Sequence, residues 1–432
     1  MQRRLAAAAT LALIGCLVVA PATAATAAPV FLAEDFPANP IERPGYQLVS
    51  HDEFNGTDID TDLWGDAYLP HWAPPGRSVP NYSVDDGYLN LTLLPEQPGW
   101  EPRKDGNTVV SSIQSMNKNW IHNFASYTDL AQSVPTEYGQ AQRYGYFEIR
   151  AKVQKGSGHH SAFWMVGTQP DQGTSNGVTQ MNAEIDIFEI LGANTNQIQF
   201  TMHPVGDPKL TKQHATIDTG VDLSANYHVY GIEWTPGSLK LFLDNQLVAT
   251  APMAPDYPML TFLGLYENRQ GGWTGAFDSS IPYPKNFSID YYRAYQVTPT
   301  LPLTVQADTA DVYGATRVIR TAGADEGLAL TSLGGSPDSV AEFRNVYVPT
   351  TGTYALDVRY RSGQNRDLTI EVNGGAPFVM PALNSGSAQQ WATATENISL
   401  DAGFNRIRVS NAAAAAPDLD FITVREVGPL RR

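Results

Sequence analysis

Cysteine is all but missing from this chain. The one thiol, Cys16, lies in the apolar start of the sequence, so everything after it is without a disulfide, a thiol nucleophile or a Cys-based metal site. Positive charge is scarce as well: 28 Lys and Arg stand against 44 Asp and Glu, a net charge of −16. That balance argues against nucleic acid and anionic surfaces as ligands and favours an uncharged or cationic one. No G-x-S-x-G elbow, phosphate loop or dinucleotide fingerprint occurs, which excludes the commonest nucleophilic and nucleotide chemistries. Helical periodicity never lasts beyond a turn or two, and nothing repeats with a period of 20 to 50 residues. With 42% hydrophobic and 17% charged residues, the composition is that of an ordinary globular protein.

The single long apolar run, Leu5 to Ala20, follows Met1-Gln2-Arg3-Arg4 and has the form of a secretory signal. Cleavage options are Ala22-Thr23-Ala24 and Ala25-Thr26-Ala27; the second makes residues 1–27 a signal peptide and the mature protein extracellular, with no membrane contact. Leu13-Ile14-Gly15-Cys16 has the form of a lipoprotein box, and anchoring through Cys16 is the minor alternative. Residues 28–44, rich in Ala and Pro, read as a poorly structured lead-in.

From Tyr46 onward, short alternating segments are separated by Gly, Asn, Asp and Pro turns. Tyr88–Leu93, Tyr144–Val153, Gln197–His203, His228–Trp234, Leu239–Val248, Met259–Tyr266 and Phe287–Gln296 all read as strands. Such spacing predicts an all-β fold, an antiparallel jelly-roll sandwich of the concanavalin-like kind over residues 45–297. Two prolines in Val297-Thr298-Pro299-Thr300-Leu301-Pro302 mark a linker over 298–303. A second, smaller β-sandwich follows over 304–427.

Chemistry concentrates in Glu184-Ile185-Asp186-Ile187-Phe188-Glu189. On a strand Glu184 and Asp186 share a face, and regular alternation would send Glu189 to the other. A β-bulge near Ile187 or Phe188 restores Glu189 to the first face. The outer glutamates are then four strand steps apart, roughly 13 Å between Cα atoms. Side chains leaning together would reach the separation of about 5 Å at which two carboxyls serve a retaining glycosidase. The apolar neighbours Met181, Ala183, Ile190 and Leu191 describe a central strand, where like charges repel and destabilise unless they have a function.

Other constellations are weaker. Asp58-Ile59-Asp60-Thr61-Asp62 opens like an EF-hand loop but has Leu63 and Leu69 where Gly and Glu are needed, so it is a polar turn. His159 and His160 are strand neighbours that point to opposite faces, which leaves no paired metal site. Trp72, Trp120, Trp164 and Trp273 adjoin polar, turn-like segments and could offer indole platforms to the C–H faces of sugars.

With these residues in view, the first domain resembles glycoside hydrolase family 16. The carrying motifs are Asp52-Glu53-Phe54-Asn55-Gly56, Tyr144 to Lys152, Ala162-Phe163-Trp164-Met165, the E-x-D-x-x-E signature, Tyr230 to Trp234 and Ile289 to Gln296. The resemblance implies a grooved jelly roll that hydrolyses internal β-glycosidic bonds with retention. It implies Glu184 as nucleophile, Asp186 as assisting carboxylate, Glu189 as acid/base, His203 near the leaving group, and Asp290 as a calcium position in some members. Two departures bear on substrate: His160-Ser161-Ala162-Phe163-Trp164 replaces W-P-A-F-W, and Tyr266-Glu267-Asn268-Arg269-Gln270-Gly271-Gly272 replaces L-N-L-A-V-G-G. His160 and Glu267 are therefore expected to contact the sugar. The second domain resembles carbohydrate-binding modules of families 6 and 35, which implies sugar contacts at Trp391 and Asn411 and a calcium held by Asp308 and Asp420.

The expectation is a secreted, monomeric, endo-acting glycosidase that needs no cofactor for catalysis and cuts β-1,3-glucan in the manner of a laminarinase. An agarase- or carrageenase-like β-galactanase is the alternative within the family. A non-catalytic carbohydrate-binding protein is the alternative outside it.

Overall fold

The structure, a computed structural model, describes residues 29–117, 132–168, 183–205 and 207–427. The signal-peptide and lipoprotein readings of residues 1–27, and Trp120, lie outside them. Among the described residues, strands dominate and helix is confined to short 3₁₀ turns. The fold is all-β: two antiparallel sheets form a jelly-roll sandwich, and a second β-sandwich follows.

The front sheet of the first sandwich runs in the order Gln213–Asp218, Gln197–His203, Glu184–Leu191, His159–Gly167, Met259–Asn268, Thr108–Gln114. The back sheet centres on Gly145–Lys152 and the long strand Lys285–Val297, which also pairs with Tyr46–Asp52. Alternation explains both. In Gly145–Lys152, Phe147, Ile149 and Ala151 fill the space between the sheets against Ile185, Phe188 and Ile190 of the front. Each such side chain taken from water stabilises the fold by roughly 1.5–3 kcal/mol when it is Val-sized or larger. Leu239–Val248 is not one strand: Asp244 and Asn245, with φ of 49° and 62°, turn it into a hairpin between Ser238–Leu243 and Gln246–Ala251. Two consecutive left-handed residues are what a tight hairpin turn demands, and Asp and Asn tolerate that conformation.

Residues 29–44 form no strand, yet they are not loose. Phe36 donates its amide to the Tyr227 carbonyl, Asn39 donates to the Glu148 carboxylate, and the Arg43 guanidinium lies 3.2 Å from the Tyr146 ring centroid. Polar side chains, invisible to a search for apolar periodicity, make this lead-in a strap across the back sheet.

After Val297 the chain crosses to Leu303–Gln306, the first strand of the second sandwich. Its two sheets bury Leu330, Phe343, Leu356, Ile370, Ile407 and Ile422 between them. The sandwiches touch where the Tyr138 hydroxyl donates to the Val312 carbonyl at 3.1 Å and where Arg143 pairs with Glu326 at 3.1 Å.

Candidate active site

The central front strand, Glu184–Leu191, carries one residue too many for its neighbours. Asp186 lies opposite Trp164 on one side, and the next paired residue is Phe188, opposite Phe163. On the other side Asp186 faces Thr201 and Glu189 faces Gln199. Ile187 is thus the extra residue of a β-bulge, and both Ile187 and Phe188 enter the core. Phe188 meets Tyr230 with ring centroids 4.5 Å apart. The apolar pull of these two side chains turns Glu189 back to the face of Glu184 and Asp186, and all three carboxylates line one cleft.

The neighbouring strands complete the floor and one wall. His203, opposite Glu184, brings Nε2 within 3.4 Å of Asp186 Oδ2 and 3.9 Å of Glu184 Oε1. Among the described residues, Glu184, Asp186 and His203 are the one group of three metal-type donors close together, within 4.8 Å. Trp164 is buried, stacks on Phe262 at 4.1 Å and donates its indole N–H to the Tyr266 hydroxyl at 2.9 Å. Trp273 stands at the rim, half exposed, with its ring edge-on to His160 at 5.0 Å.

Electrostatics set the protonation of the carboxylates. Burial, then the charge of Asp186, pushes the Glu184 carboxyl well above the usual range, against the opposing pull of His203. Burial also raises Asp186, with Lys212 opposing. Glu189 is raised by burial and then by both neighbouring acids. Three acids so close cannot all ionise near neutral pH, and they titrate as a set that retains protons. An ionised carboxylate beside a protonated one is the pairing that general acid catalysis with a nucleophile requires.

Several expected contacts are placed elsewhere. Glu267 does not reach the cleft. Alternation along Met259–Asn268 puts Tyr266 on the cleft side and Glu267 underneath, fully buried among His159 Nε2 at 2.8 Å, Arg269 Nε at 2.6 Å, Lys285 Nζ at 2.7 Å and the Tyr283 hydroxyl at 2.9 Å. Trp72 is buried in an aromatic cluster behind the wall with Leu69, Ala73 and Trp100. In the second sandwich, Trp391 is partly exposed between the guanidiniums of Arg359 and Arg361, at 5.5 and 5.0 Å. Asn411 is already engaged, donating to the Asp367 carbonyl on the strand Arg366–Val372 and accepting from the Ala414 amide of its own loop.

Calcium needs six to eight oxygen ligands, and two of the three candidate aspartates do not fit it. Asp290 takes the Arg150 guanidinium at 2.7 Å, and Asp420 takes Arg359 and the Asp325 amide, so an arginine stands where the ion would. Asp308 is buried beside a hollow that Arg143 and Glu326 also line. None of the three belongs to a group of three or more ligating side chains among the described residues.

Tyr68, Asp105, Thr108 and Asn268 also line the cleft and were not singled out in the sequence. Asn268 could have been found, being two residues beyond Tyr266 on the same strand face. Tyr68 could not: it reaches the wall from a loop, against Trp100 at 4.7 Å and Tyr266 at 5.5 Å, and no periodicity marks it.

Comparison with known proteins agrees with this geometry. The model of glycosyl hydrolases family 16 matches residues 107–289. A beta-glucanase of Paenibacillus polymyxa is 30% identical over 207 residues, 42% of this chain and 82% of that protein. The glucan endo-1,3-beta-glucosidase A1 of Niallia circulans is 25% identical over 290 residues, 58% of this chain. The chain spans 38% to 62% of the length of that protein and three other curated relatives. Among solved structures, the GlcNAcα1-4Gal releasing endo-β-galactosidase from Clostridium perfringens superposes with a TM-score of 0.57 at 27% identity, covering 84% of this chain and 100% of that one.

Proposed function

The chain belongs to glycosyl hydrolase family 16, and from that premise we propose that it is an endo-acting, retaining glycosidase that cuts internal β-linkages of a polysaccharide. The observation that carries this reading is the bulge at Ile187, which gathers Glu184, Asp186 and Glu189 into one cleft. Glu184, ionised, attacks the anomeric carbon as the C–O bond to the leaving sugar breaks, and Glu189 gives its proton to the departing oxygen. The covalent glycosyl ester is then opened by water, whose proton returns to Glu189 as the bond to Glu184 breaks. Asp186, between them along the strand and 3.4 Å from His203, keeps Glu189 protonated by its charge, and His203 opposes the same effect on Glu184. No cofactor enters these steps.

β-1,3-Glucan is the first substrate reading, supported by the Niallia circulans enzyme. A β-galactan is the second, favoured by a specific observation: the match to the Clostridium perfringens endo-β-galactosidase extends over 84% of the chain, more than the first sandwich alone. The second sandwich reads as a carbohydrate-binding module with Trp391 as its aromatic platform, and residues 1–27 as the export signal. Incubation with laminarin, lichenan and agarose, with products sized and the first-formed anomer read by proton NMR, tests the reading. Expected are internal cuts and a β-anomer; a folded protein that releases no reducing ends from any β-glycan overturns it.

A further inference from the structure

Among the described residues, the cleft lining contains four carboxylates, those of Asp105, Glu184, Asp186 and Glu189, and no lysine or arginine. Arg269, the cation that sequence position alone would bring toward the sugar, is turned away: it binds Glu267 Oε1 at 2.6 Å and the carbonyls of Gln97 and Leu94 at 3.0 and 3.2 Å. Lys212 is near enough to oppose the rise of Asp186 and Glu189, but it does not line the wall. A sulfate or uronate would therefore enter among like charges with no guanidinium among the described residues to receive it.

His160 supplies a different kind of contact. It lines the cleft from the strand His159–Gly167, opposite Tyr266, and its ring stacks on that tyrosine with centroids 4.6 Å apart and planes 12° from parallel. Trp273 closes on its edge, so the ring has one orientation. Nδ1 is shut away with no hydrogen-bond partner among the described residues, which leaves Nε2 as the nitrogen available to the cleft. A proton on Nδ1 would be a buried N–H without an acceptor, and an imidazolium would carry that same orphan plus a charge. Burial, and His159 beside it, push the imidazole down to about 3.

We propose that the sugars bound in this cleft are uncharged and that His160, with its proton on Nε2, donates a hydrogen bond to one of their oxygens and so selects among neutral glycans. This rests on the hydrolase reading above. Two substitutions separate donor from packing: His160→Phe keeps a ring on Tyr266 and removes the donor, and His160→Gln keeps a donor. The expected result on the best neutral substrate is a 10- to 100-fold fall in kcat/KM for His160→Phe, carried mostly by KM, with partial recovery in His160→Gln. A His160→Phe enzyme within twofold of the parent overturns the proposal, as does turnover of carrageenan or hyaluronan at a kcat/KM comparable to that on neutral glycans. Two-bond proton–nitrogen NMR, with His160 assigned by its loss in His160→Phe, should show the neutral Nε2–H form at pH 6. An Nδ1–H form or an imidazolium there overturns it whether or not any glycan is cut. If the parent protein cuts nothing on the panel, the hydrolase reading fails, and this measurement still decides the state of His160.

Discussion

Glu189 lies three residues beyond Asp186 yet faces the same cleft, because Ile187 has no partner on the strand His159–Gly167. With Ile187 in the chain, the bulge is therefore as necessary to the site as the acids themselves. Deleting Ile187 removes the extra residue and leaves Phe188 facing the core and Glu189 facing the cleft by plain alternation, whereas inserting one alanine after Phe188 turns Glu189 toward the apolar layer. Expected is that the deletion variant still releases reducing ends, while the insertion variant loses all detectable hydrolysis and melts at a lower temperature, since a carboxylate is driven into the core; the opposite pattern refutes the register argument.

The division of labour between the two glutamates can be separated chemically. Replacing Glu184 by Ala should lower kcat at least about a thousandfold, as removal of a nucleophile that acts with its partner commonly does. Azide added to that variant should enter the vacated space and give a glycosyl azide of inverted configuration, whereas Glu189→Ala with azide should give the retained one. Product configuration by NMR checks both, and the opposite pairing would exchange the two roles.

Raised acids also make a prediction about stability. The folded-state pKa of Glu184 lies above its unfolded value of about 4.3, so the folded state binds more protons between those two values and loses stability as pH rises through that window. Glu184→Gln removes the penalty. At pH 7 it should be more stable than the parent by about 1–2 kcal/mol, and near pH 4 the two should melt together. Melting curves at the two pH values check this; equal melting at both would contradict the strained-cluster picture.

Glu267 predicts the reverse sign. Burial alone would raise its pKa, but hydrogen bonds from His159, Lys285, Arg269 and Tyr283 outweigh that and hold the carboxyl well below the usual range. A depressed pKa contributes stability above the unfolded value, and that contribution is lost as the solution is acidified toward the folded one. Glu267→Gln leaves Lys285 buried without its counter-charge and should cost about 3–5 kcal/mol at pH 7, with a smaller deficit at pH 3. Urea titration at the two pH values measures it.

The legible part of this protein was what periodicity and local spacing encode. Alternation placed the strands, and the excess residue in Glu184–Glu189 foretold a bulge, because three acids on a central strand have few tolerable arrangements. Glu267 shows where such reading stops. Its position beside Tyr266 suggested a sugar contact, but one step along a strand reverses the face, and its partner Lys285 lies on another strand and Tyr283 in the loop before it. Tyr68 and Asp105 were hidden for a related reason: both reach the cleft from loops, where no period applies. Asn411 carried a residue type suited to sugar, and only its bond to the Asp367 carbonyl shows the amide already engaged.

The strap before Tyr46 decides where the working unit begins. Glu148 and Arg293 are buried in the back sheet, and Asn39 gives its side-chain amide to the first and its carbonyl to the second. A fragment cut at the first strand would keep every strand of the jelly roll and uncap two interior charges. Measured by what its charges need instead of by where its strands start, the catalytic unit begins at or before Asp35, whose carboxylate receives the Tyr227 amide.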